Sequence, residues 1–505
     1  MQSNSVIPAT LNGIWKATFW CLVAVGAGLI WLAPRPPMID LPQHAGQLTL
    51  WLDLLKGTSP WESLLRINML TPYLIGYGTA LPFAALFGSL IAVKAVLTIS
   101  YLVWIIACRA LRKEIGSDPR LEFLFLFSFF GFAWQWGFMT FLVGAPLSIL
   151  FLLFAIRYSK QPSAVGGAGI VGFGIILLFS HALLFIFATG IGGLITLAQQ
   201  KRIRNMIAAI IPYIALAAIL VVFQFLARDF SNAVNLERMT PAGWAFGVPV
   251  VYRPIASLLF TVASTFTGLN LLLALSVFTI PIVMGTHIKK DLPLIMLAVL
   301  VCILILVPDE AFGTGFVSSR FALFLPIFWA LIWTPVQNRG RRANVGTGLL
   351  ALMCAGILGM RAIDIMAFAK ETTSFEKVLA AAQPGERAIN LTFDKRSEAI
   401  QDGYAYLHMS LWYQAEKSGF VDFNFAYFFP QVVRFRKDIG PVLDDKSSFH
   451  PEQFNWAEPH MHVYRYAFIR GSSQHVASVA KMPLCGAQMI AHENEWTLLR
   501  RNDCK

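Results

Sequence analysis

Apolar residues in this chain come in long runs, and the loops between the runs are short and often rich in Lys and Arg. A helix needs about 20 apolar residues to cross a bilayer core of about 30 Å. By that measure the pattern predicts spans near 13–33, 89–109, 120–136, 138–157, 164–180, 182–199, 205–227, 255–285, 292–308, 320–336 and 346–366, about eleven in all. The first run has neither a basic leader nor a small-residue cleavage site, so it reads as a retained span rather than a signal peptide. From residue 371 the long runs stop. Residues 388–393, 464–469, 488–491 and 497–499 read as strands, the last two flanking a turn at Glu493-Asn494, and 404–417 reads as a helix. The predicted fold is a polytopic α-helical membrane body, 1–370, followed by a separate soluble α/β domain, 371–505.

The basic loops orient the body. They lie at 109–120, 157–160, 201–204, 287–290 and 339–342, and exactly two predicted spans separate each from the next. Lys and Arg concentrate in cytoplasmic loops, and all five can face that side together. The N-terminus is then cytoplasmic. The far side holds the loop 34–88, the tip at Trp134-Gln135-Trp136, the turn at His181, the loops 228–254 and 308–320, and the tail. The first far-side loop is the unusual one. Within it, 45–56 puts Leu48, Leu50, Trp51, Leu54 and Leu55 on one face, the pattern of an amphipathic helix lying in the membrane interface. The stretch 71–87, interrupted by Gly76, Gly78 and Pro82, reads as a short or membrane-dipping helix.

Composition narrows the classes. The chain of 505 residues is 56% hydrophobic and only 13% charged, half the charge of an ordinary soluble domain. Residues 1–370 carry a net +13 and residues 371–505 a net −1. This excess of cations belongs to apolar spans, which suits membrane orientation and anionic lipid and argues against nucleic acid as a partner. Of six Cys, Cys21, Cys108, Cys302 and Cys354 fall in apolar runs, and Cys485 and Cys504 can pair if the tail faces an oxidising compartment.

Asp40-Leu41-Pro42-Gln43-His44 opens the first far-side loop. A carboxylate and an imidazole beside a bilayer are costly to dehydrate, which makes them functional candidates. If a helix starts near Leu41 with Asp40 as its N-cap, both side chains lie on one side of its first turn. Such a pair can hold a divalent cation or act as a general base with an orienting partner. The plainer alternative has Asp40 capping the helix, Pro42 in its first turn and His44 in solvent.

The order of features after Asp40 resembles the GT-C superfamily of integral membrane glycosyltransferases. It runs from Asp40 through 45–56, Thr71-Pro72-Tyr73-Leu74 and Leu86-Phe87-Gly88 to Ala92 and Lys94 at the start of the next helix. The resemblance is detailed over about 13–160 and architectural beyond. It implies an extracytoplasmic C-terminal domain and transfer of a sugar from a polyprenyl-phosphate donor to a glycan, lipid or protein acceptor. The match departs from the family at Leu41, where Glu is common, and at Trp134-Gln135-Trp136-Gly137-Phe138, which lacks the acidic residue often found there. A divalent metal therefore loses its second acidic loop, and Asp40 fits better as the base of a metal-independent site.

The implied reaction also needs cations near the leaving phosphate, and the far side offers Arg228, Arg238, Arg253, Arg320, Arg35 and Arg66. Arg320 stands out because Ser318-Ser319-Arg320 opens a predicted helix, where free backbone N–H groups favour anions; its plainer role is snorkelling. Asp309 and Glu310 can orient an Arg, meet acceptor, or form a solvated loop pair. His181 can reach a phosphate or serve as a structural turn residue, and Tyr73 lies in the element expected to meet substrate. Trp134, Trp136 and Trp244 can stack on a sugar or form an interfacial belt, the belt being the plainer reading, and His450, His460 and His462 match no known arrangement, although a His-x-His on a strand can bind metal. The expectation is an inverting glycosyltransferase of a bacterial inner membrane acting at the periplasmic face, with Asp40 as base, Arg320 as phosphate contact, and His44 and His181 in support. A transporter or flippase for lipid-linked sugar and a non-enzymatic assembly factor are the alternatives.

Overall fold

The computed structural model describes residues 12–231, 248–263, 267–289, 291–310, 314–335, 341–400, 403–428, 430–437, 439, 449–456, 458–481 and 486–503. Arg238, Trp244, Cys485, Cys504 and the side chain of Arg228 lie outside them. The first span is α1 (Gly13–Leu29), started by Asn12, whose side chain accepts the Trp15 N–H. The loop that follows carries α2 (Leu41–Lys56), the short strand β1 (Leu65–Ile67) and α3 (Leu74–Phe87). At 14 residues α3 is too short to cross a bilayer upright. Then come α4 (Ser89–Ile115), α5 (Leu124–Phe127), α6 (Phe132–Trp136), α7 (Met139–Lys160), α8 (Ala164–Ser180), α9 (Ala182–Gln199) and α10 (Ile203–Ser231). The body closes with α11 (Arg253–Phe260), α12 (Gly268–Val283), α13 (Leu292–Leu306), α14 (Leu325–Leu331) and α15 (Arg341–Glu371). Five of these helices, α4, α7, α9, α10 and α15, are long and apolar enough to cross a membrane, which makes this a multi-pass membrane protein.

Three predicted spans are not continuous helices. Residues 119–136 form a 3-10 turn, α5, a second 3-10 turn and α6; 255–285 divides into α11 and α12; and 319–331 is a 3-10 helix followed by α14. Irregular backbone is tolerated at membrane depth only away from lipid, and residues 119–135 are all buried. Hydropathy reports apolar content, not helical continuity, so the breaks leave no trace in it. The interrupted segment 119–136 still runs from one end of the body to the other. At one end the Asp118 N–H reaches the Trp333 carbonyl (3.1 Å), and at the other the Asp40 N–H reaches the Trp136 carbonyl (2.9 Å). The basic loops gather at the first end. Lys289 reaches the Ile115 carbonyl, Arg157 and Lys160 pair with Glu114, Gln200 bonds Ser159, and Arg342 bonds Val283.

The tail begins as α15 leads into α16 (Thr373–Ala381) and β2 (Arg387–Thr392). It continues through α17 (Leu411–Lys417), β3 (Phe420–Asp422), β4 (Val433–Phe435), β5 (Tyr466–Arg470), α18 (Ser473–Ala480), β6 (Ala487–Glu493) and β7 (Trp496–Arg501). The expected helix over 404–417 is confined to its last seven residues. The sheet has the order β3-β2-β5-β7-β6, with β2 parallel to β3 and β5 and with β7 antiparallel to β5 and β6.

The tail is not set apart from the body. Its β4 pairs antiparallel with β1 of the first loop, Leu65 opposite Phe435. One hydrophobic core runs from the spans through α2 into the tail. The expectation of an interface-lying helix is corrected here: residues 41–51 of α2 are all buried. The polar face of α2, which solvent was expected to cover, is covered by the tail. Gln47 accepts the Val433 N–H (3.0 Å), Thr49 donates to the Ala415 carbonyl (2.6 Å), and a Cβ on Gly46 would stand 2.7 Å from the Gln414 amide. Buried polar groups need partners, and here the tail supplies them.

Candidate active site

Asp40 precedes α2 as the N-cap residue, yet its side chain makes no capping bond. Its backbone is fixed instead by the second far-side tip, where the Ile39 and Asp40 N–H groups bond the Gln135 (3.1 Å) and Trp136 (2.9 Å) carbonyls. Gly137 permits this approach. Its φ is +90°, and a Cβ there would lie 2.6 Å from the Asp40 nitrogen. The tip that lacks an acidic residue thus serves to hold one. The carboxylate faces His408 of the tail instead, with 14% of the side chain exposed. Burial pushes its pKa up to about 7, against the pull of the Arg320 charge and a hydrogen bond from the Trp136 side chain.

Two residues of the tail and first loop complete this side. His408 Nε2 lies 3.5 Å from Asp40 Oδ1. Its Nδ1 faces the Gln43 amide nitrogen at 3.1 Å, and that nitrogen also donates to the Phe423 carbonyl (3.2 Å). Burial holds the His408 pKa down to about 3, so the ring is neutral.

His44 is buried as well, with burial lowering its pKa to about 3. It is therefore a neutral hydrogen-bonding group, not a solvated loop residue. Its Nδ1 lies 2.7 Å from the Tyr77 hydroxyl, which donates to Gln431 Oε1 (2.7 Å). His181 sits between α8 and α9 with its ring 5.1 Å from Tyr73 and 5.3 Å from Phe141. Its Nδ1 is buried without a hydrogen-bond partner among the described residues. Arg320 lies over the Phe138 ring at 4.0 Å and donates to the Phe316 (2.9 Å) and Gly315 carbonyls. No hydrogen bond from its Nη1 is seen among the described residues. Its charge acts on Asp40, Tyr73 and His181, and that of Asp40 acts on Tyr73. A carboxylate, a guanidinium, a phenol and three neutral imidazoles therefore converge from the first loop, two span junctions and the tail.

Neither a known family profile nor a curated protein matches the sequence. Among solved structures, the chain aligns with the arabinofuranosyltransferase AftD from Mycobacteria at a TM-score of 0.50 and 12% identity, covering 98% of this chain and 40% of that one. A mutant form of the same protein aligns at a TM-score of 0.48 and 12% identity, over 98% of this chain and 42% of that one. The chain shares its fold with that transferase. It spans about 40% of the length of that protein.

Several residues expected at the site point elsewhere. Asp309 accepts from Ser318 and Ser319 (2.7 Å) and pairs with Arg253 (3.1 Å), which also bonds the Ile305 (2.8 Å) and Val307 (2.6 Å) carbonyls. These contacts fasten the loop ahead of Arg320 and are satisfied within it. Glu310 is exposed. The N–H groups of Arg320 and its successor, expected to be free, are engaged: the segment is a 3-10 helix, the Arg320 N–H bonds the Phe316 carbonyl (3.5 Å) and the Phe321 N–H bonds Ser318 (3.0 Å). Arg35 is buried in the pair Glu376 and Glu416, stacked on Trp412, while Arg66 bonds the Phe435 carbonyl (3.0 Å). The expected aromatic belt is corrected too. Trp134 is a core residue against Phe129 and Phe130, and Trp136 packs on Phe316 at 4.1 Å beside Asp40. His450 pairs with Glu452 at the surface (3.0 Å).

Sequence reading missed His408, Gln43, Tyr77 and Gln431. The sequence signal was faint. Gln43 lies within Asp40-Leu41-Pro42-Gln43-His44, but its partner is 365 residues away.

Proposed function

We propose that this protein is a glycosyltransferase that moves a sugar from a polyprenyl-phosphate donor to an acceptor hydroxyl with inversion, at the periplasmic face of a bacterial inner membrane. The observation that carries the reading is a buried carboxylate, poised near pH 7, within the field of a buried guanidinium. A general base works best with a pKa near the working pH, and Asp40 meets that condition where His44, lowered to about 3, does not.

Asp40 accepts the proton of the acceptor hydroxyl as its oxygen attacks the anomeric carbon. The bond from that carbon to the phosphate oxygen breaks, and the phosphate leaves with the bonding pair. Arg320 faces the charge that develops there, through an Nη1 that makes no hydrogen bond among the described residues. Retention through a covalent intermediate needs a nucleophile besides the acid–base group, typically a second carboxylate. Arg320 is the one charged residue acting on Asp40 among the described residues, which favours single displacement and inversion. The same donor set, one carboxylate facing a guanidinium, does not fit a divalent cation.

The test is Asp40→Asn in membranes supplied with labelled polyprenyl-phosphate sugar. Transfer should fall by about 10²–10⁴-fold, the usual worth of a general base, with membrane insertion unchanged. Full activity in that variant would remove the base and the proposal with it.

A further inference from the structure

We propose that the tail contributes a positioning residue to this reaction: His408, held in one tautomer by Gln43, donates a hydrogen bond to Asp40 and keeps its carboxylate ionised and aimed. The inference rests on the reading of Asp40 as base. The Gln43 amide has a fixed orientation, because its oxygen accepts the Phe425 N–H (2.9 Å). Its nitrogen must therefore be the donor to the Phe423 carbonyl and to His408 Nδ1. A ring that accepts at Nδ1 and is neutral carries its proton on Nε2, the atom 3.5 Å from Asp40 Oδ1. That separation is long for a hydrogen bond, as is common in resting sites that tighten around substrate.

The groups facing Asp40 come from every element around it: Arg320 ahead of α14, Tyr73 ahead of α3, Trp136 of α6 and His408 of the tail. Only His408 has its own proton position dictated by another side chain. The ring cannot shift easily either. Gly46 and Thr49 clamp the helix that follows it in the chain, α17, against α2.

Hydrogen bonds to a carboxylate favour its charged form, so their loss raises its pKa. The test uses the full chain in lipid nanodiscs and needs no substrate. pH-difference infrared spectroscopy reads the stretch of the protonated carboxyl, and Asp40→Asn assigns the band. Without a bond from His408 the midpoint is expected near 7; with that bond the wild-type midpoint should lie below it. His408→Leu should raise it by about one unit. His408→Gln, whose amide N–H reaches the place of Nε2, should leave it within about 0.3 unit. A midpoint unmoved in His408→Leu overturns the proposal, as does an equal rise in His408→Gln. If His408→Leu fails to fold, His408→Asn replaces it. That variant keeps a polar contact to Gln43 but cannot reach Asp40, and an unmoved midpoint there overturns the proposal equally. Failure of the base reading is separately visible, since it would leave these midpoints intact while Asp40→Asn kept full transfer.

Discussion

At the scale of residues, what decides the chemistry is the competition between dehydration and charge at Asp40. Burial alone favours the protonated acid; the Arg320 guanidinium and the Trp136 hydrogen bond draw it back to about 7. Below that value Asp40 holds a proton and cannot accept another, so kcat/KM should rise with pH through about 7 and level off above it. Arg320→Gln removes a cation that favours the carboxylate. The rising limb should therefore move to higher pH, and the plateau should drop by about 10²–10³-fold as the leaving phosphate loses its counter-charge. A pH–rate profile checks both, and a limb that stays in place while the plateau falls would separate Arg320 from Asp40. The sequence made Asp40, His44, Tyr73, His181 and Arg320 legible as one group, because topology put them on one side. It named Arg253 as a candidate phosphate contact and Asp309 as a group able to orient an Arg, but did not join the two, which pair in the structure. A buried Arg and Asp within reach of each other pair rather than wait for substrate, since an unpaired buried charge costs several kcal/mol. Their partners are set by loop geometry that no spacing rule encodes.

At the scale of elements, the second far-side tip does work that its composition conceals. Trp134-Gln135-Trp136-Gly137-Phe138 has no acid, so its sequence read as a gap in the site. In the fold its carbonyls anchor the backbone of Asp40, and Gly137 is the residue that makes room. Gly137→Ala would put a Cβ 2.6 Å from the Asp40 nitrogen at a φ of +90°. The strained φ alone costs about 1–2 kcal/mol. A displacement approaching 1 Å at the base costs transfer up to about 10²-fold. Gly190→Ala in α9 is the control, with nothing within 4 Å of the added Cβ and an ordinary helical conformation. Measured side by side, Gly137→Ala should lose transfer rate and thermal stability, and Gly190→Ala neither. The same scale explains why α2 looked interfacial. Of the apolar face read for it from the sequence, Leu48, Leu50 and Trp51 are buried and Leu55 is exposed. What covered its polar face was a tail more than 300 residues distant, and amphipathic periodicity cannot distinguish a partner protein surface from water.

At the scale of the whole molecule, charge distribution outlasted the errors in the spans. Three segments counted as helices are broken, yet the five basic loops still meet at one end of the body, because 119–136 traverses it despite its breaks. The positive-inside rule depends on which end a loop reaches and is indifferent to how the backbone gets there. The site, the first loop and the tail occupy the other end, joined through β1 and β4 and the buried face of α2. If the basic end is cytoplasmic, every group of the site must face away from the cytoplasm together. Single cysteines at Lys201, exposed at the basic end, and at Ser472, exposed in the tail, read this directly. In intact spheroplasts a membrane-impermeant maleimide should label Ser472→Cys and spare Lys201→Cys until the membrane is opened. The native cysteines, Cys485 and Cys504 of the tail included, set the background in the parent chain; Cys21 and Cys302 are exposed on apolar helices. The reverse pattern would put Asp40 beside the cytoplasm, where a periplasmic acceptor could not reach it, and would overturn the side of transfer while leaving the fold and the action of the Arg320 charge on Asp40 as they stand.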